Sequence, residues 1–510
     1  MNHYDIIIIG TGAGGGTLAY KLAPSGKKIL ILERGEYIPR EKENWDTEAV
    51  FLKARYKAKE EWKDSNGKSF HAGIHYCVGG NTKVYGAALL RMRENDFGEL
   101  HHHGGISPAW PIDYQVLAPW YLEAENLYSV HGERGTDPCE PMEAAPYPEP
   151  PLNHEPRIQE LSNDLAEMGL KPFPLPVGVR LGNSNGDAPA TLDRFDGFPD
   201  PSEAKSDSHV ICIKKALRYP NVTMVTGAYV DRLETNANGT EIKKVVAKKD
   251  GEEIIYEADT VVVSCGAINS AALLLRSKND HHPNGLANGS DVVGRHYMAH
   301  NNSALLAIST KPNPTKFGKT LGINDYYFGD DDFKFPMGHI QMLGKSDPIM
   351  YKEDAPSFAP SFSLDYLAKH SLDFWMTSED LPDPNNRVTL DEQSNITLHY
   401  KENNLEGHHR LQRKLKWLLE HIGCEKHLLP NHVYLGKKIP LAGTAHQCGT
   451  VRFGKNAKTS ALDIWCRSHE IKNLFVVDGS FFPSSSAVNP ALTIMAMALR
   501  VGDYMLNEVL

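Results

Sequence analysis

The chain has 510 residues, 41% hydrophobic and 23% charged, which suits a soluble globular protein with more than one simple core. Its formal net charge of -10 leaves no general attraction for nucleic acid or an anionic membrane. The apolar run near the start, Ile6 to Ile9, is far too short to cross a bilayer, and no basic leader precedes it, so a cytoplasmic address without a membrane span is expected.

Residues 5–9 read as a buried strand, 17–22 as a helix and 28–32 as a second buried strand ending at Glu33, which together make a βαβ unit. The charged stretch 43–69 reads as loop and short helix over a surface. Residues 77–91 return to a Gly-rich, weakly charged chain. Pro111-Ile112-Asp113 signals the start of a helix within 110–128. The proline-rich stretch 138–151 reads as an extended connector. Strands are expected over 222–226 and 261–264, with a β-meander over 230–256 that turns at Lys249-Asp250-Gly251. From 303 to about 397, alternating strands broken by turns such as Pro382-Asp383-Pro384-Asn385-Asn386 predict an antiparallel sheet and a second domain. Leu411, Leu415, Leu418, Leu419 and Ile422 mark one face of an amphipathic helix. No internal repeat is visible.

Gly10, Gly12 and Gly15 fit G-x-G-x-x-G between the first strand and the first helix. The first glycine permits a tight turn, the second lets bare backbone approach a pyrophosphate, and the third lets helix and strand pack closely. The helix N-terminus then offers unpaired N–H groups to phosphate. Glu33, at the end of the second strand, can accept from both hydroxyls of a ribose and disfavours a 2′-phosphate. The motif alone does not separate FAD from a nicotinamide cofactor.

Seven cysteines lie between Cys77 and Cys466 without CxxC pairing, which fits reduced thiols. His101-His102-His103 lacks partner ligands at metal spacing and reads as an exposed loop, so no metal is expected.

Three further pieces bear on the cofactor. They are Gly79-Gly80-Asn81-Thr82-Lys83-Val84-Tyr85-Gly86, the strand and turn ending Cys265-Gly266-Ala267-Ile268-Asn269-Ser270, and Asn473 to Ser480 followed by Asn489-Pro490-Ala491-Leu492-Thr493 and an apolar helix to Tyr504. Trp110-Pro111-Ile112 with Tyr114, Val293-Gly294-Arg295 and His446-Gln447-Cys448-Gly449-Thr450 join them. In this combination the sequence resembles the glucose–methanol–choline (GMC) family of flavin oxidoreductases over nearly its whole length, least between about 144 and 202.

The resemblance implies an α/β (α+β overall) fold, with a Rossmann-like FAD-binding domain and a second domain on a large, mostly antiparallel sheet. The expected division is 1–100, 204–300 and 445–510 for FAD, and 101–203 and 301–444 for a substrate-binding cap. It implies that Gly10, Thr11, Gly12, Ala13, Gly15, Glu33 and Arg34 hold the adenosine and pyrophosphate. Gly79, Gly80, Asn81 and Val84 would run along the flavin, and Val230 would meet the adenine. Asp478, Gly479, Pro490 and Ala491 would complete the cofactor site. Some relatives tether FAD through a histidine in the segment that starts Gly79-Gly80; none stands between Gly79 and Gly86, so non-covalent FAD is expected.

Alcohol oxidation removes a hydride from carbon and a proton from oxygen. His446 opens the family's H-x-x-G-T and is expected to be the base; Asn489 matches its His/Asn partner and would orient the hydroxyl. Backbone N–H groups after Asn489, at a helix start, would steady charge developing on the flavin. Cys448 reads as a small packing residue. Trp375 is expected to wall a sugar or glycoside, with oxygen or a quinone or dye-like compound as acceptor. Rival readings are a choline-like or simple aliphatic alcohol dehydrogenase and a non-catalytic FAD-binding protein. Homo-oligomerisation is left open.

Overall fold

Strands covered on both faces carry unbroken apolar runs. Three such runs are buried here: Ile29–Leu32, the end of Asn2–Ile9 and the end of Glu252–Val263. In the computed structural model, which describes residues 2–141, 145–181, 194–351, 361–424, 437–438 and 443–510, they lie side by side in a seven-stranded sheet. Its order is Val222–Val225, Ile29–Leu32, Asn2–Ile9, Glu252–Val263, Ile242–Lys249 and Tyr229–Thr235, with Leu474–Val476 also paired to Glu252–Val263. The first four strands and Leu474–Val476 run parallel, and the other pairings are antiparallel.

The expected short strand at 261–264 is thus the end of a 12-residue strand whose beginning belongs to the meander. The meander turns at Asp250 and Gly251, whose φ values of 52° and 85° suit a two-residue hairpin loop.

The helix Ala13–Leu22 leaves the first strand at Gly12 and packs on the last helix, Ala491–Glu508, which also packs on Tyr114–Leu127. Asp113 stands at the N-cap of the latter, as expected, although its side chain makes no cap bond.

A second sheet has six strands in the order Lys437–Lys438, Asn301–Ile308, Ser371–Ser378, His339–Met342, Leu321–Ile323 and Phe173–Pro174, all antiparallel. Side chains alternate across it. Leu305, Ala307, Ile340, Met342, Leu372, Phe374 and Met376 share a buried cluster with Leu411, Leu415, Leu418 and Leu419 of the helix Leu405–His421. Ile422 caps that helix and packs beside the cluster.

The antiparallel sheet expected over 303–397 is therefore correct only in part. Arg387–Leu390 and Ile396–His399 leave it and form a four-stranded sheet with Glu61–Asp64 and Ser69–His71. The reason lies in packing: Val388, Ile396 and Leu398 bury against the main core with Trp62, not against the helix-backed cluster. The loop and short helix expected over 43–69 are there in part, as the short helices Lys42–Trp45 and Glu48–Leu52, but the stretch also contributes the strand Glu61–Asp64. His101-His102-His103 is an exposed loop only in part, with His101 and His103 exposed but His101 and His102 in a strand. The strand Leu100–His102 pairs with Gly105–Ser107, and His102 turns inward with Nε2 3.0 Å from Glu379 Oε2. The connector 138–151 lies partly outside the described residues, at 142–144.

No helix among the described residues is long and apolar enough to cross a membrane. The seven cysteines form no disulfide.

A Cβ at Gly15 would stand 2.1 Å from the carbonyl oxygen of Gly10, and backbone on both sides cannot yield. Gly15→Ala is expected to cost roughly 1–3 kcal/mol by overpacking. Denaturant unfolding reads this, and an unchanged midpoint would remove the close approach from the account.

Candidate active site

The two sheets are joined by three strips of backbone lying edge to edge. Gly449, Val451 and Phe453 donate to the carbonyls of Gly479, Ser480 and Phe481 at 3.0 Å each, and Cys448 exchanges two 2.9 Å bonds with Met298. Leu474–Val476 holds the second of these strips on the first sheet, and Thr377 Oγ1 donates to the Ala487 carbonyl at 2.6 Å to hold its continuation on the second. This stitching brings His300, His446 and Asn489 together. His446 Nε2 lies 3.2 Å from Asn489 Nδ2, and His446 Nδ1 lies 3.1 Å from His300 Nδ1. Gln341 Nε2 donates to Asn489 Oδ1 at 3.0 Å. Burial, with smaller contributions from His300 and Lys319, holds the His446 imidazole well below the usual histidine range. Cys448 is buried, which pushes its thiol up, and it packs without facing the cavity.

His446, Asn489 and Trp375 line a cavity of ≈ 770 Å³ that also reaches the glycine turn. That volume falls within the range of cofactor and ligand sites, about 300–1,000 Å³. At the turn it is bounded by Gly10, Thr11, Gly12 and Ala13, with Glu33, Arg34 and Val230 beside them. Gly80, Asn81 and Val84 form another part of the wall, and Asp478, Gly479, Pro490 and Ala491 complete the expected set.

Gly15 and Gly79 do not line the cavity. Gly15 faces Gly10 across the strand–helix packing, and Gly79 is backed by His209 and Lys83. Their contribution is to backbone shape: the Gly79 N–H donates to Thr11 Oγ1 at 2.9 Å, which ties two glycine turns together.

Two carboxylates on the wall already carry internal bonds. Glu33 accepts from the Thr11 N–H at 3.1 Å, the Thr11 hydroxyl at 2.6 Å and the Gly35 N–H at 2.9 Å. Burial nonetheless pushes its pKa up. Asp478 accepts from the N–H groups of Gly266 and Ser480 and from the Ser270 hydroxyl, and burial raises it too. Each carboxylate oxygen has two lone pairs, so Glu33 keeps capacity for a ribose. Arg34 lies 3.5 Å over the Tyr76 ring and 4.8 Å over that of Tyr229, which sets a cation–aromatic stack at this end.

The residues present fit FAD. A Cβ built on Gly12 meets nothing within 4 Å, so this strip of backbone is open to a ligand. The helix Ala13–Leu22 starts there with no side-chain cap and no acid in its first turn. The helix Ala491–Glu508 starts in the same way at Pro490. Both ends offer N–H groups and positive dipole ends to the cavity, as a pyrophosphate and an electron-rich ring edge require.

Trp375 lines the cavity as expected, but several other wall residues escaped the sequence reading. Asn302 and Gln341 sit with Trp375 at alternate positions of neighbouring strands, opposite the helix-backed apolar residues. Period-two alternation in these strands was the available signal. His300 follows Val293-Gly294-Arg295 by a few residues, yet nothing local marks it. Phe51, Ala54 and Lys57 also line the cavity, so part of 43–69 walls the site. Among the described residues no group of three or more His, Cys, Asp or Glu gathers as metal ligands.

Two family models described as GMC oxidoreductase match residues 4–302 and 382–498. The chain therefore belongs to the GMC oxidoreductase family of FAD-binding enzymes and is an oxidoreductase acting on CH–OH groups. It is 28% identical to 6'''-hydroxyparomomycin C oxidase of Streptomyces lividus, over 98% of this chain and 90% of that one. It is also 28% identical to 2-methyl-1,2-propanediol dehydrogenase of Mycolicibacterium austroafricanum, over 98% and 94%. The crystal structure of pyridoxine 4-oxidase from Mesorbium loti shares the fold, with a TM-score of 0.67 at 18% identity, covering 98% of each chain.

Because Gly12 faces open space with φ -66°, alanine there is compatible with the fold. Gly12→Ala is expected to leave the unfolding midpoint of flavin-free protein within about 0.5 kcal/mol of the parent. It is expected to weaken FAD binding by tenfold or more, about 1.4 kcal/mol, in a fluorescence titration. Equal FAD affinity would remove Gly12 from the pyrophosphate path.

Proposed function

We propose that this enzyme oxidises a hydroxyl of a sugar or glycoside, with His446 as base, Asn489 as orienter and FAD held without a covalent bond. The observation that carries the reading is the pairing of His446 Nε2 with Asn489 Nδ2 at 3.2 Å, on the wall of the cavity that reaches the uncapped glycine turn. Residues 1–100, 204–300 and 445–510 are assigned to the cofactor and 101–203 and 301–444 to the cap, with the Glu61–Asp64 and Ile396–His399 pairing as a seam between them.

FAD supplies the hydride acceptor when bound. The Asn489 amide donates to the substrate oxygen and holds the hydroxyl in reach of His446 Nε2, which takes its proton. A neutral imidazole is needed for this, and burial keeps His446 neutral. Val84 and its neighbours offer no histidine between Gly79 and Gly86, which supports non-covalent FAD. The electron acceptor is oxygen or a quinone or dye-like compound.

The sugar reading rests on polar atoms that lack protein partners. Gln341 Oε1, Asn302 Oδ1 and Trp375 Nε1 are buried with no hydrogen bond among the described residues, and all three side chains line the cavity. Two acceptors and one donor beside an indole face suit a ring carrying several hydroxyls. The relative named for oxidising 6'''-hydroxyparomomycin C points the same way. A small diol is the second reading, favoured by the relative named for 2-methyl-1,2-propanediol.

Anaerobic bleaching of the flavin by monosaccharides, glycosides, small diols and choline separates these readings. Sugars or glycosides are expected to bleach it fastest; bleaching by diols alone would transfer the assignment to the second. His446→Ala is expected to keep FAD and slow reduction by roughly 10²–10⁴-fold. A parental rate in that variant would dismiss His446 as the base.

The direction of the His446 shift also sets a pH profile. With its folded pKa below 6.5, the imidazole stays neutral as pH falls through 6.5. Stopped-flow reduction rates are expected to hold flat there and to fall only at more acid pH. A midpoint at or above 6.5 would contradict the buried, neutral imidazole.

A further inference from the structure

His300 touches the back of His446, and the atoms available to it decide which nitrogen of His446 carries the proton. His300 Nε2 lies 3.2 Å from the Ser485 carbonyl oxygen. A carbonyl only accepts, so His300 Nε2 carries a hydrogen and, in a neutral ring, its Nδ1 is bare. His446 Nδ1, 3.1 Å away, must then be the donor. That leaves His446 Nε2 with a lone pair, facing the Asn489 Nδ2 donor at 3.2 Å. Asn489 is oriented independently, because Gln341 Nε2 donates to its Oδ1 at 3.0 Å. The donors run in one direction, from Gln341 through Asn489, His446 and His300 to the Ser485 carbonyl.

We infer that His300 is a positioning residue that locks His446 in the Nδ1–H tautomer, so that Nε2 is the proton-accepting atom on the cavity side. This inference rests on the reading of His446 as the base. His300 is itself fixed by its backbone. Its φ is 58°, and its N–H donates to Asp380 Oδ1 at 2.9 Å while the Ala299 N–H donates to Oδ2 at 2.8 Å. The Tyr400 hydroxyl donates to Asp380 Oδ2 at 2.9 Å, and the Ser485 hydroxyl donates to Oδ1 at 3.4 Å. The buried carboxylate thus grips the turn and not the ring, which keeps the His300 ring free to serve as acceptor.

The lock requires His300 to be neutral, since an imidazolium would present two donors and reverse His446. Asp380 and Glu379 favour the charged form, whereas burial disfavours it and prevails, leaving His300 below the ordinary histidine value. Lys319 and His339 are the other titratable groups that act on this pair of rings.

The test is ¹⁵N NMR of the FAD-loaded enzyme labelled at its histidine rings, with the His446 signals assigned by their loss in His446→Gln. The expected result is a protonated Nδ1 and a bare Nε2 on His446; a protonated Nε2 in the parent overturns the inference without any positioning variant. His300→Phe is expected to keep FAD, lose the single tautomer and slow flavin reduction by roughly 10–100-fold. His300→Gln, whose amide can still accept and donate, is expected to restore much of both. Unchanged tautomer and rate in a folded His300→Phe would also overturn it. If no alcohol reduces the flavin, the reading of His446 as base fails, while the tautomer measured in the resting enzyme stands or falls separately.

Discussion

Close approach of backbone at the first glycine turn fixes the positions of everything that follows. A Cβ at Gly10 would lie 2.2 Å from the Ser264 carbonyl oxygen, and one at Gly14 would lie 1.9 Å from that of Val477. The turn after the first strand can therefore sit against the ends of Glu252–Val263 and Leu474–Val476 at the same time. Val477 leads directly into Asp478 and Gly479, and the Gly479 carbonyl holds Gly449. Gly449 lies three residues after His446, and its neighbour Cys448 holds Met298, two residues before His300. The position of the candidate base is set by a glycine more than four hundred residues earlier in the chain. Ordinary backbone hydrogen bonds carry the relation at each step.

The other side of the site obeys a different rule. A strand presents alternate residues to opposite faces. In the second sheet one face is committed to the helix Leu405–His421 by a continuous set of apolar side chains. Whatever stands between those residues must face the first sheet. Gln341 and Trp375 are direct register partners on that face, and Asn302 is nearby on the next strand. The cavity thus has one wall of bare backbone and helix ends and another of polar side chains on rigid strands. The first suits a large charged cofactor approached through N–H groups; the second suits a smaller ligand recognised group by group.

How much of this was legible in the sequence depended on the range of the signal. The glycine turn, its flanking strands and the acid at Glu33 lie within one short stretch, and local pattern was enough to outline them. His446 and Asn489 were legible only through resemblance, because each stands in an irregular segment without periodicity. The positions of Arg387–Leu390 and Ile396–His399 were not legible, since alternation shows that a strand is half-covered and says nothing of which sheet covers it. Their apolar side chains happen to complete the core around Trp62. His300 was missed for a similar reason. Its importance comes from Ser485 and His446, which are remote in sequence, and from a left-handed backbone turn gripped by Asp380. Gly15 plays the helix–strand packing part that the motif gives its third glycine, whereas Gly79, placed along the flavin only through the resemblance, is backed by His209 and Lys83 and lies off the cavity wall.

The arrangement around His446 also explains why a buried carboxylate can stand close without charging the base. A carboxylate bonded to an imidazole ring favours the imidazolium and would raise its pKa. Asp380 is bonded to backbone N–H groups and to the Tyr400 and Ser485 hydroxyls, and makes no hydrogen bond to either imidazole ring. Burial holds both rings below the usual histidine range, which favours their neutral forms. With His446 as the proposed base and Asn489 as the proposed orienter, positive charge on His446 is costly until negative charge develops on the substrate oxygen, and the two charges then stabilise each other at short range in a low dielectric. Such a site binds a neutral alcohol without first creating an ion. It favours proton removal only when the oxygen is within reach of both Nε2 and Nδ2. On the proposed reading, selectivity for a correctly seated hydroxyl is then a consequence of electrostatics as well as of the shape of the wall that carries Gln341 and Trp375.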